Sequence, residues 1–155
     1  MSFRAAVLGI PSIQSHYREG TQALRAQDRR RLTCSNARRL QGSVDLDTAL
    51  MPVYPQAPRW DYGIGIARGS AKDLVVWLEV HSASSLRNLT EVLRKLEWLR
   101  DWLGSDAPAL RSLPSSYVWL ASGVVAFRSG SKHARRIAER GLLFRARQLD
   151  LDRIK

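Results

Sequence analysis

The chain has 155 residues, 45% of them apolar, with five tryptophans, one cysteine (Cys34) and a formal net charge of +11. A chain of this length buries roughly 68–70% of its unfolded surface around one core, so it needs no disulfide staples, and a lone cysteine excludes a disulfide framework. A basic excess of this size is the electrostatic footprint of a polyanion partner, and it puts nucleic acid, DNA or RNA, first among the ligands, the plain alternative being arginines that are simply solvated. The expected organisation is a single domain over 1–155: a basic N-terminal helical region 1–44, a core 45–127, and a basic C-terminal helix and tail 128–155. Residues 1–44 carry a net +6, 45–106 a net −2 and 107–155 a net +7, so the acids are concentrated in the middle. The apolar run 5–10 is too short for a signal-peptide core, and no stretch approaches the roughly 20 apolar residues of a membrane span, which predicts a cytoplasmic protein.

Along the chain, Ser12 or Ser15 can open a helix that runs to about Leu32, weakened at Gly20. Its end holds Arg29, Arg30 and Arg31, followed by Arg38 and Arg39. These read either as a phosphate-contacting patch or as a solvated helix end favoured by the C-terminal dipole. From Gly42 through Asp45 and Asp47 to the three prolines Pro52, Pro55 and Pro58 the chain reads as a connector. Residues 60–67 and 74–81 alternate apolar and other side chains around a Gly/Ser/Asp loop, the pattern of a β-hairpin. Residues 86–103 place Leu89, Val92, Leu93, Leu96, Leu99 and Leu103 on one helical stripe, with Ser84, Ser85 or Asn88 as cap and Gly104 at the end. Strand material follows at 116–121 and 124–127, then a short basic helix from a Ser131 cap through Lys132, Arg135 and Arg136 to Arg140, stopped at Gly141. The order implies an α/β (α+β) domain with a central mixed β-sheet flanked by helices, the acidic hairpin at its centre.

A hairpin closed symmetrically about Ser70 sets Asp61 opposite Glu79. Trp60, Tyr62, Ile64 and Ile66 then share an apolar face with Leu74, Val76, Leu78 and Val80, while Asp61, Gly63 and Gly65 share the other with Trp77, Glu79 and His81. Like charges directly opposed across strands destabilise a sheet, and a divalent cation with oxygen ligands offsets that. Gly63 and Gly65 are expected to leave this face open to an approaching backbone. The plain alternative is that the acids are edge charges that discourage aggregation. Trp98 and Trp102 fall off the main stripe of their helix, so it is expected to be covered on a second side, by another element or by the partner in a homodimer. His16 and His133 have no companions at metal-site spacing, and no P-loop, dinucleotide fingerprint, nucleophile elbow or zinc cysteine set is present.

An aspartate in the first strand of a hairpin and a Glu-x-Lys in the second, followed by a helix, resembles the PD-(D/E)xK superfamily of restriction enzymes and Holliday-junction resolvases over roughly residues 45–103. Asp61 matches the family aspartate and Glu79 the glutamate. Trp60 replaces the frequent proline, and His81 stands where the lysine is expected. The resemblance implies a restriction-endonuclease-like fold and a Mg²⁺- or Mn²⁺-dependent nuclease, on DNA more than RNA. Asp61 and Glu79 would hold the metal, with Asp47 as a third acid. His81 would serve as general base or ligand, or Lys95, at the edge of the following helix's apolar stripe, would supply the missing lysine. The more ordinary reading of Lys95 is a lysine snorkelling from a half-buried helix flank. Arg29, Arg30, Arg31, Arg38, Arg39, Lys132, Arg135, Arg136 and Arg140 would grip the nucleic-acid backbone. Two other classes stay open: a non-catalytic nucleic-acid-binding or protein-interaction module on the same fold, and a basic accessory protein that docks on an acidic partner.

Overall fold

In the computed structural model, which describes residues 1–154, the strands are β1 (Tyr17–Arg18), β2 (Leu32–Thr33), β3 (Leu40–Asp45), β4 (Tyr62–Arg68), β5 (Ala71–Ser82), β6 (Ser115–Ser122), β7 (Leu142–Ala146) and β8 (Leu149–Asp150). The helices are α1 (Phe3–Leu8), α2 (Ala26–Arg29), α3 (Leu46–Leu50), α4 (Leu86–Ser105), α5 (Pro108–Arg111) and α6 (Lys132–Glu139). β4 and β5 form the hairpin, with Tyr62 opposite Leu78 and Ile64 opposite Val76, the register of a turn centred at Ser70. Gly69, at φ 63°, supplies the left-handed residue this tight turn needs. β3 and then β1 add antiparallel beside β4, whereas β6 and then β7 add parallel beside β5, giving a mixed six-stranded sheet in the order β1-β3-β4-β5-β6-β7. Parallel neighbours require a crossover, and α4 makes the one between β5 and β6. Ser85 caps α4 by accepting from the Asn88 N–H at 3.3 Å, and the predicted leucine and valine stripe is buried.

Alternation along β5 sends its side chains to two cores. Val75 and Trp77 face the layer of α1, α4 and α5, where Phe3, Leu89, Val92 and Leu96 meet them. Leu74, Val76 and Leu78 face the opposite side, where Leu24, Leu149, Leu151 and Ile154 form a thinner cover. β2 and β8, paired in parallel, hold that cover together. Among the described residues no helix is long and apolar enough to cross a membrane.

Several sequence expectations are corrected. The helix expected over 12–32 is replaced by a 3-10 turn at Gln14–His16, by β1 and by the one-turn α2, with Gly20 at φ 54° turning the chain between β1 and α2, and the N-terminal helix is instead α1, capped by Ser2 and burying Phe3, Ala6 and Val7. The stretch read as connector from Gly42 opens inside β3, which runs directly into α3, where the Asp45 carboxylate accepts from the Thr48 N–H at 2.9 Å as an N-cap. Residues 124–127 leave the sheet after Gly123, at φ 74°, and the third parallel strand is instead β7 in the basic tail. Trp60 belongs to the helix-side core, not to the face of Tyr62. The face of Gly63 and Gly65 is closed, because a Cβ would lie 2.7 Å from the Trp77 ring at the first and 2.5 Å from the Phe3 ring at the second. These glycines make room for two aromatic rings of the protein's own core. The second cover of α4 is also internal: Trp98 and Trp102 stack at 6.2 Å between centroids, and Tyr54 meets Trp98 edge-on at 5.9 Å.

Candidate functional site

Glu79 lies one alternation beyond Trp77 on β5, so it faces the helix layer, and it is wholly buried. A buried carboxylate is stable only when partnered, and three groups meet it. The Asp61 N–H donates to Glu79 Oε1 at 3.1 Å, Lys95 Nζ bonds Oε2, and His81 Nδ1 lies 3.2 Å from the same oxygen. Asp61 enters β4 opposite Glu79: its Oδ2 accepts from the Val80 N–H at 3.0 Å and its Oδ1 lies 3.4 Å from Lys95 Nζ. The second ring nitrogen of His81 is 2.9 Å from Glu91 Oε2. Glu91 precedes Lys95 by four residues and so projects from the same face of α4. Two acids of the hairpin and two charged residues of the next helix are thereby tied into one network.

The electrostatics of this network are uneven. Burial, and then the charge of Glu79, push the Asp61 carboxyl up to about 7, against the pull of Lys95. Burial alone would lower Lys95, but the attraction of Glu79 and Asp61 outweighs it and the ammonium is held above its usual range. His81 is raised by its hydrogen bond to Glu79, against burial, with Glu91 adding to the effect. Near neutral pH the network therefore keeps a cationic lysine and a carboxyl at Asp61 poised between its two protonation states.

The network opens on a cavity of about 340 Å³ at the end of the sheet, where β4 begins and β5 and β6 finish. Asp61, Glu79, His81 and Lys95 line it, together with Arg25 and Arg31. The carboxyl ends of parallel strands are where open sheets place ligands. Asp45 and Asp47 also border it, but Asp45 is occupied as the α3 cap and Asp47 Oδ1 is bound by Arg59 Nε at 3.0 Å.

A metal fits this donor set only in part. Among the described residues no group of three or more His, Cys, Asp and Glu is arranged to hold one. Asp61 Oδ1 and Glu79 Oε2 nevertheless both turn toward a single point, which the Lys95 ammonium takes. Holding a Mg²⁺ or Mn²⁺ with these two carboxylates and several waters would require Lys95 to leave that point. A three-carboxylate set that includes Asp47 requires Arg59 to release it as well.

The basic residues divide. Of those named from the sequence, Arg31 borders the acid cavity and Arg30 a neighbouring one. Arg29 folds back onto the Leu24 carbonyl at 3.1 Å, Arg39 pairs with Asp152 at 3.5 Å, and Arg140 pairs with Glu97 at 3.0 Å. Arg38, Lys132, Arg135 and Arg136 are exposed and line none of the cavities around the acids. The sequence reading passed over Arg25, Asp28, Glu91 and Arg147. Glu91 was within reach, since helical spacing from Lys95 sets it on the same face; the others depend on long-range contacts. One such contact is Tyr62, whose hydroxyl donates to buried Asp28 at 2.6 Å and anchors α2, with Arg25 and Arg31 beside it, to the start of β4. Compared with protein-family models, with curated proteins and with solved structures, the chain finds no match.

Proposed function

We propose that the protein is a divalent-metal-dependent nuclease of restriction-endonuclease-like fold, hydrolysing phosphodiester bonds of nucleic acid, DNA in preference to RNA. The observation that carries this reading is the convergence of Asp61 Oδ1 and Glu79 Oε2 on the ammonium of Lys95, delivered by the helix that follows the hairpin. Asp61 and Glu79 would hold the Mg²⁺ or Mn²⁺, which supplies charge neutralisation at the phosphate and a bound water of lowered pKa. Lys95, freed from the carboxylates, places a fixed positive charge beside the phosphate oxygens, the part that His81 at the motif's third position does not supply. His81 has both ring nitrogens held by carboxylates, Glu79 and Glu91, so it would fix the geometry of the cluster and would take or return a proton only once one of those contacts opens. Arg25 and Arg31 add charge at the mouth of the cavity.

The rival is a non-catalytic nucleic-acid-binding module on the same fold, and the ammonium already standing between both acids, where an ion would sit, favours it. The two part in one assay. The nuclease reading expects cleavage of single-stranded, duplex or branched substrates with Mn²⁺ and none with EDTA. Glu79→Gln should abolish cutting and leave binding intact, and Lys95→Met should slow it by about 10²–10³, the usual cost of removing one electrostatic stabiliser. Binding without cutting on every substrate, in wild type and with either metal, would replace the enzyme with the inert module.

A further inference from the structure

Beside the acid cavity lies a second one of about 450 Å³, lined by Arg30, Arg31, Gly123, Val124, Arg147 and Gln148. Arg31 lines both, so the two share a wall. Three guanidinium groups border this space and no carboxylate does; none of the ion pairs among the described residues uses them. The Nε of Arg31 is buried without a hydrogen-bond partner. Like charges gathered on one wall repel, and an anion bound among them relieves that repulsion.

Arg147 adds a second, independent sign. Among the described residues it is the one non-glycine at positive φ, 69°. A branched chain of contacts fixes it there: the Arg147 N–H donates to the Ala121 carbonyl at 3.0 Å, its own carbonyl accepts from Arg31 Nη1 at 3.5 Å, and the Leu149 N–H donates to the Arg31 carbonyl at 2.8 Å. Glycine takes this conformation without strain, yet the position carries an exposed arginine. The fixed backbone keeps Arg147 in the lining of this cavity with Arg30 and Arg31, where β6 and β7 end.

We infer that Arg30, Arg31 and Arg147 form a phosphate-binding shelf that holds the nucleic-acid strand one step from the Asp61–Glu79 cavity. This rests on the nucleic-acid part of the proposed function and is independent of whether the acids cut. The phosphate can be an internal phosphodiester or a 5′-terminal monophosphate, since both offer anionic oxygens to guanidinium donors.

The test is fluorescence anisotropy in EDTA with a short labelled oligonucleotide, made with a 5′-phosphate or a 5′-hydroxyl, on wild type, Arg147→Gly, and Arg135→Ala/Arg136→Ala as the distant control. Arg147→Gly suits the backbone, so it should unfold no earlier than wild type. It should still bind roughly tenfold more weakly, as expected for a lost charge-assisted contact, with a shallower salt dependence. If only the 5′-phosphorylated strand loses affinity, the shelf takes a terminal phosphate; if both lose it equally, it takes an internal one. Wild-type affinity and salt slope in Arg147→Gly, with loss in the α6 control, would overturn the shelf and leave nucleic-acid binding standing. No binding by wild type to either oligonucleotide at low salt would overturn both the shelf and the nucleic-acid reading.

Discussion

At the scale of single residues, Asp61 carries a cost that the rest of the molecule sustains. A carboxyl held at about 7 in the fold and at 3.8 in the unfolded chain binds its proton more tightly when folded. Its contribution to stability is therefore complete below about 4 and lost as pH rises through about 7. His81, also raised, acts in the same direction, since the proton it gains on folding is released as pH climbs. Between pH 5 and 8 the wild-type protein should lose stability, and Asp61→Asn should lose less, because the amide oxygen can still accept from Val80 while no charge is buried beside Glu79. At pH 8 we expect Asp61→Asn to be more stable by roughly 1–3 kcal/mol, a few degrees in Tm, with its remaining pH slope due largely to His81. Thermal melts across this range decide it. A variant less stable than wild type at pH 8 would mean that the Lys95–Asp61 attraction outweighs burial and that the site holds no repulsive charge. Such a cost is common at sites kept for function.

At the scale of elements, the hairpin is positioned by what its glycines admit. Gly65 accepts the Phe3 ring of α1, so Gly65→Ala forces a methyl to within 2.5 Å of that ring in a closed core. Overpacking of this kind costs about 1–3 kcal/mol. Phe3→Leu alone should destabilise through the lost ring, but joined to Gly65→Ala it should cost less than the two separate losses added together. Urea unfolding of the four proteins measures the coupling; simple additivity would mean that α1 does not seat on β4 through this pair. The same contact marks the boundary of what the sequence reveals. Period-two alternation identified β4 and β5, and symmetry about Ser70 placed Asp61 opposite Glu79. The leucine stripe identified α4, and its edge pointed to Lys95. Those signals are local. β1 and β3 escaped because their pairing depends on Tyr17, whose ring lies over Gly42 where a Cβ would be 2.3 Å away, and no spacing in the sequence announces that contact. β7 escaped because it is short, carries Arg145 and is recognised only by its parallel neighbour β6. The openness once expected at Gly63 and Gly65 failed for the same reason, since the rings that fill the space come from Phe3, 62 residues before Gly65, and from Trp77 on the facing strand.

At the scale of the whole molecule, the two basic ends of the chain, net +6 over 1–44 and +7 over 107–155, do not stay apart. The parallel pair of β2 and β8 sets Leu32 against Leu149, and through it α2 and the 145–153 tail share one side of the sheet. Positive charge is thus concentrated around Arg30, Arg31 and Arg147, while the described ion pairs that oppose it, such as Arg39–Asp152 and Arg140–Glu97, are partly exposed. Exposed pairs contribute about 0–1 kcal/mol each and lose most of that in salt. Repulsion across a net +11 is a longer-range effect, and it fades as the Debye length shrinks from about 30 Å at 0.01 M to about 10 Å at 0.1 M. Relief of repulsion should therefore win, so that Tm rises by a few degrees between 10 and 300 mM salt, on the order set by one or two kcal/mol in a domain of this size. Arg147→Glu, which puts a carboxylate among the clustered guanidiniums, should melt higher than wild type at 10 mM salt and respond less to added salt. If Tm instead falls with salt in both proteins, the surface pairs dominate, and the meeting of the two basic arms is not a net repulsive arrangement.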